Sequence, residues 1–194
     1  MELIFFNRMT FEIVDFGFVD KDYQLIIDSV IPQKSTFSVN KKNINAKVGD
    51  LLTIKDKKIN YIGIICSLEE DEEKGITKVQ SNDFISILDI KVKMNNYSGN
   101  LSYFLFQLIN ATYISNVDPY QRIKYLRISR DYANISGSLT FEKDTIDSIS
   151  NLLNTLSKSY SIEIKYNLVY ENGSIIGIEL HITTCTRGLI IKSI

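Results

Sequence analysis

Tryptophan is absent from this 194-residue chain, proline and cysteine occur twice each, and there is a single histidine. Each scarcity closes a route. One histidine and two widely separated cysteines, Cys66 and Cys185, cannot compose a tetrahedral zinc site or a two-histidine iron triad within one chain. Nor do two distant thiols make a disulfide framework, and both read as reduced residues in or near a core. No apolar run approaches the ~18 residues that a membrane-crossing helix needs. The opening Leu3-Ile4-Phe5-Phe6 is too short for the hydrophobic region of a secretion signal, and it lacks a basic flank and a small-residue cleavage site. A soluble protein of a reducing compartment is expected. An excess of either charge is missing too: 22 basic residues face 23 acidic ones, for a net charge of −1. Nucleic-acid binding calls for a concentrated basic face, which this balance does not supply. There is no Gly-x-x-x-x-Gly-Lys phosphate loop, and Val48-Gly49-Asp50 reads as a turn into a strand.

What the chain has in quantity is β-forming sequence, with 44% hydrophobic residues, 11 tyrosines and 10 phenylalanines. Residues 1–95 read as β throughout. Glu2–Phe6 and Thr10–Phe16 are joined at Asn7-Arg8-Met9, as in a tight hairpin. Gln24–Val30 forms a further strand stopped by Pro32, and Ser35–Val39 alternates with Phe37 and Val39 on one side. Three consecutive strands follow at 48–54, 59–68 and 75–81, the first two linked by a bend at Asp56-Lys57-Lys58. Between the last two lies Glu69–Lys74, five carboxylates in six residues. Such a run repels itself and belongs in solvent at a hairpin tip. It lacks the spaced oxygens and fixed glycine of a calcium loop.

The period changes near residue 96. Leu101, Phe104, Leu105, Leu108, Ile109, Thr112 and Tyr113 form a helical stripe, predicting a helix over about 101–114 with Ser98 as its N-cap and Phe104 and Tyr113 in the core. Residues 120–132 return to strand. A second helix is expected over about 145–158, capped by Asp144, with Asp147 in its first turn and Lys158 in its last. The hairpin at 161–184 turns on Asn172-Gly173, the strongest two-residue hairpin signal. Gly188–Ile194 reads as a fresh strand with no partner in sequence, as expected of a piece of a longer polypeptide. The fold class is therefore α+β and β-rich: an antiparallel β-barrel or sandwich over 1–95, then a small α+β domain over 96–194 with two amphipathic helices and a C-terminal hairpin.

Chemistry is hard to find on this frame. His181 shares a strand face with Glu179 and Thr183, opposite the Ile176–Ile182 stripe, and reads as a solvent-facing or interface residue. Asp15, Asp20, Asp22 and Asp28 lie near one another in sequence, and Asp28 interrupts an apolar strand. A raised carboxyl pKa there would support a carboxylate-dependent hydrolase, although an aspartate in such a place more often satisfies a turn amide. No enzyme activity, cofactor or metal is expected.

In order along the chain, Leu3–Phe6, Lys34-Ser35-Thr36-Phe37, Val48-Gly49-Asp50-Leu51-Leu52, Tyr61-Ile62-Gly63-Ile64-Ile65, Lys78-Val79-Gln80 with Asp83-Phe84, Asp118-Pro119-Tyr120-Gln121 and Gly177-Ile178 make the chain resemble a siphophage tail family. It is similar to the N-terminal part of the baseplate-hub or tail-associated proteins, including the Gp37-like siphovirus group. The resemblance spans most of residues 1–190. It implies a β-barrel hub domain that joins copies of itself into a ring beneath the tail tube, trimeric by that likeness, with an inserted α+β domain and other tail proteins as partners. It also implies location in the virion tail after assembly in the host cytoplasm. A ring subunit needs apolar patches that neighbours cover, and exposed aromatics supply them; Tyr97, Tyr103, Tyr120 and His181 are the possible interface residues. The alternative is an adaptor or receptor-binding module that recognises a cell-wall glycan or a partner tail protein through the same tyrosines.

Overall fold

The computed structural model describes residues 1–27, 30, 33–56, 59–184 and 190–193. Asp28, the strand stop at Pro32, the Lys57-Lys58 bend, Cys185 and Gly188 lie outside the described residues. The fold is α+β and β-rich. It divides into two compact units, one formed by most of residues 1–86 together with the last strand, the other following from Ile87.

The first unit is antiparallel. Its strands are β1 (Glu2–Phe6), β2 (Ile13–Ile27), β3 (Lys34–Val39), β4 (Leu51–Ile54), β5 (Ile62–Asp71) and β6 (Ile76–Asp83), joined at the end of the chain by a strand at Ile190–Ser193. Hydrogen bonding runs β1-β4-β5-β6-β3-β2, and β2 pairs back to β1, so the six strands close on themselves. Two-residue alternation directs Leu3 and Phe5, Phe37 and Val39, and Leu52 and Ile54 to one buried cluster with Val19, Leu25, Tyr61, Ile65 and Val79. Gly17 faces the same interior, where an added Cβ would stand 2.4 Å from Val39.

Several sequence expectations change here. The first connection is not a tight hairpin but a loop over 7–12, in which the Asn7 carboxamide accepts from the Met9 and Thr10 amides and the Phe11 ring stacks on Phe6 at 4.8 Å. The two strands read at 10–16 and 24–30 are one continuous β2, which is long enough to serve β1 with its first half and β3 and the Ile190–Ser193 strand with its second. That last strand is not partnerless: it pairs antiparallel with Gln24–Ile27. Its partner lies at the other end of the chain, beyond the reach of local sequence reading.

Asp15 is one of the few buried carboxylates in this unit. Burial alone would raise its pKa. The Lys41 ammonium and the amides of Asn45 (2.9 Å) and Phe16 (2.7 Å), all directed at the carboxylate, outweigh burial and hold it below the usual range. An acid depressed in the folded state contributes stability above its unfolded pKa of about 3.9 and loses it as pH falls through the lower folded value. Thermal denaturation followed from pH 7 to pH 2 is expected to show an acid limb that is shallower in Asp15→Asn than in the parent, with the variant less stable at neutral pH.

The second unit places two helices against a three-stranded sheet. Helix α1 (Leu101–Ile109) and helix α2 (Ile149–Tyr160) bury Leu101, Leu105, Ile109, Leu152, Leu153 and Leu156. The sheet order is β12 (Ile162–Glu171), β13 (Ser174–Thr184) and β9 (Leu126–Ile128), the last running parallel to β13. Its buried side carries Ile162, Ile164, Ile178, Leu180 and Ile182. Between β6 and β9 lie a 3-10 turn at Phe84–Leu88 and the short strands β7 (Lys91–Lys93) and β8 (Tyr97–Asn100); β10 (Ser136–Leu139) and β11 (Ile146–Ser148) precede α2, and Ile190–Ser193 is β14. Strand β10 pairs with β8 and β11 with β7.

These short strands explain where the helix ends fall. Residues 97–100 and 146–148 are taken into pairing, so the N-caps move inward from the expected Ser98 and Asp144 to Asn100 and Ser148. The Asn100 side chain accepts from the Ser102 and Tyr103 amides, and the Ser148 hydroxyl from the Asn151 amide. Asp144 instead pairs with Lys93 at 2.7 Å, and Asp147 precedes the cap of α2. The first helix is α-helical only to Ile109 and continues as a π turn over Asn110–Ile114, keeping Thr112 and Tyr113 buried. Phe104 is half-buried and stacks on Tyr97. The strand expected over 120–132 shrinks to three residues because Pro119–Gln121 winds into a 3-10 turn.

Gly177 is required where β9 meets β13. The Ile178 amide donates to the Tyr125 carbonyl at 2.9 Å, and a Cβ on Gly177 would stand 2.6 Å from that same oxygen. Backbone cannot swing aside as a side chain can. Gly177→Ala is expected to cost about 1–3 kcal/mol in chemical denaturation, with the loss centred on the β9–β13 pairing.

Candidate functional site

The second unit carries a groove of about 590 Å3 lined by α1, the π turn that continues it, and the segment around β9. Helical spacing puts Tyr103 and Phe106 on neighbouring positions of one face of α1. The π turn supplies Asn110 and Ile114, and such turns recur at functional sites because they re-aim side chains that a regular helix would keep on its stripe. Arg127 and Ile128 come from β9, and Arg130 and Tyr132 from the stretch that follows it.

Three rings form the wall. Tyr103 and Phe106 lie 6.1 Å apart and nearly parallel, and Tyr132 closes the triangle at 5.8 Å from Tyr103 and 5.5 Å from Phe106. Phe106 and Tyr132 are half-buried, whereas Tyr103 is 37% exposed at the lip. Arg127 and Arg130 are exposed, and among the described residues neither has a carboxylate within ion-pairing distance. No acidic residue lines the groove. The arrangement suits a ligand that offers carboxylates or other anionic groups to the guanidinium forks and flat or apolar matter to the rings.

A different surface marks the first unit. Phe16 and Phe18 project from the outer face of β2 at two-residue spacing, 44% and 62% exposed. Met9, Ile13 and Val48 are exposed as well. A hydrogen bond from the Arg8 amide to Asp50 brings the 7–12 loop against the turn ahead of β4, so Met9 and Val48 belong to neighbouring segments.

Of the interface residues read from the sequence, Tyr103 alone lines the groove. Tyr97 is half-buried against Phe104 at 4.6 Å. Tyr120 stands 89% exposed in the turn after Asp118. His181 is half-buried, its Nε2 3.2 Å from Glu179. Phe106, Tyr132, Arg127 and Arg130 were missed. The one local signal available was the exposed Tyr103 with Phe106 three residues on, both beside the buried stripe. Among the candidate acids, Asp15 is engaged as described, Asp22 accepts from the Ser38 hydroxyl at 2.9 Å, and Asp28 lies outside the described residues. Among the described residues no group of three or more His, Cys, Asp or Glu is placed to hold a metal ion. Among the described residues no helix is long and apolar enough to cross a membrane.

No protein-family model matches the chain, and neither does any curated protein. Among solved structures, the crystal structure of the tail protein from Neisseria meningitidis MC58 is similar, with a TM-score of 0.53 and 15% sequence identity. The match covers 92% of this chain and 50% of that one, so the chain spans about half the length of that tail protein. At this identity the likeness is one of fold.

The lip of the groove and the core behind it should respond differently to truncation. Tyr103→Ala is expected to change stability by less than about 1 kcal/mol, and Leu105→Ala, fully buried two positions on, to cost about 2–5 kcal/mol. Urea denaturation of both variants checks this.

Proposed function

We propose that the chain is a structural component of a phage tail, of the baseplate-hub type, working through interfaces with copies of itself and with companion tail proteins and making or breaking no bonds. The observation that carries this reading is the fold shared with a solved tail protein across both units of the chain. The outward-facing Phe16 and Phe18 support it. Two adjacent large rings on the outside of a strand are a poor surface to leave in water and a good one for a neighbouring subunit to cover. The closed order of β1 to β6 supports it too, since those strands bond to one another and leave association to side-chain surfaces. In this reading the subunits form a ring, trimeric as in the family the sequence resembles, in the virion tail after assembly in the host cytoplasm.

Light scattering coupled to size exclusion tests it. The chain is expected to pass from monomer to a closed oligomer with rising concentration, and Phe16→Asp with Phe18→Asp to weaken that association about ten-fold or more. A parent protein that stays monomeric at every concentration contradicts the reading.

A further inference from the structure

We propose that the aromatic–arginine groove of one copy of this chain receives the acidic hairpin tip, Glu69–Lys74, of another copy. The inference rests on the assembly reading above and gives it a specific contact. A net charge of −1 conceals two opposed concentrations: five carboxylates within six residues on the first unit, and on the second a groove whose lining includes two arginines and no acidic residue.

The tip is built to be presented. Strand pairing runs out to Asp71 and Ile76, further than the sequence implies, so Glu69 and Glu70 belong to β5 and only residues 72–75 turn. The Asp71 carboxylate accepts from the Lys74 amide at 3.1 Å and pairs with the Lys74 ammonium at 3.3 Å, and the Gly75 amide returns to the Asp71 carbonyl at 2.9 Å. Gly75 closes the turn at φ +68°, where a side chain would be strained. Asp71 and Lys74 thus serve the turn itself. Glu70, Glu72 and Glu73 remain exposed and make no ion pair among the described residues. A tip held rigid by its own bonds loses little freedom on docking.

The groove offers the complement. Arg127 and Arg130 carry planar forks suited to carboxylates, Arg127 standing in register with Glu179 of β13, and the half-buried rings of Phe106 and Tyr132 belong to the same lining. Tip and groove are different surfaces of the same chain, so the contact is head-to-tail. Such contacts repeat from copy to copy and generate rings where the rotation closes.

Charge reversal tests the pairing on the full chain. Arg127→Glu with Arg130→Glu is one variant, Glu70→Lys with Glu72→Lys the second, and all four together the third. All positions are exposed, and circular dichroism melts verify that each variant folds. In light scattering the first two are expected to associate at least ten-fold more weakly than the parent, the third to recover association, and an equimolar mixture of the first two to form mixed pairs that neither variant forms alone. Added salt should weaken the parent's association. A parent that assembles with no response to either reversal overturns the tip-in-groove contact and leaves the structural reading intact. A parent that never assembles overturns both. Loss in the single-surface variants without recovery in the third also overturns the pairing, because it means that the two surfaces have separate partners.

Discussion

Strand β1 is hydrogen-bonded on both edges, to β2 on one and β4 on the other, and this double pairing is what the first unit depends on. Leu3↔Gly17 and Leu3↔Ile54 belong to one continuous network, which turns a row of six strands into a closed one. Closure sends the alternating apolar side chains of every strand to a shared interior, and it leaves those six strands bonded to one another. The outer face is then free to differ from residue to residue. Phe16 and Phe18 on β2, and the acidic tip of β5 and β6, are the consequences that bear on function.

The second unit solves the same problem by layering. Helices cover one face of β12, β13 and β9, and the short parallel β9 is added through the close approach that Gly177 permits. The strand so added is only three residues long, and the segment around it supplies Arg127, Arg130 and Tyr132. Opposite it, the α-helix gives way to a π turn. A groove arises where two elements end irregularly, and irregular ends are where a fold can hold side chains for docking instead of packing.

Period-2 and period-3.6 patterns were enough to read β3, β4, the β12–β13 hairpin and most of the buried stripes of both helices, because each is fixed by local burial; Ile146, expected on the second stripe, lies exposed in β11. The α+β class followed from them. What escaped was long-range. Nothing near residues 13–27 says that one strand serves β1, β3 and β14, and nothing near 126–128 announces a parallel partner fifty residues on. The helix caps slipped inward because β8 and β11 claim the preceding residues, which only their distant partners β10 and β7 explain. Of the groove, Tyr103 was legible as an exposed aromatic. Arg127 lay within the stretch read as strand over 120–132 with no further role, since a place in the groove depends on α1 lying beside it. The opposition of an acidic tip and a basic groove vanishes in a net charge near zero.

The central claim is that exposed rings and charges on this chain are surfaces awaiting a neighbour. Hydroxyl-radical footprinting across a concentration series reads this side chain by side chain. The account predicts that Phe16, Phe18, Tyr103 and Tyr132 lose reactivity as concentration rises, while Tyr170, exposed beside the β12–β13 turn, keeps its own. Unchanged reactivity of all five at every concentration would contradict it.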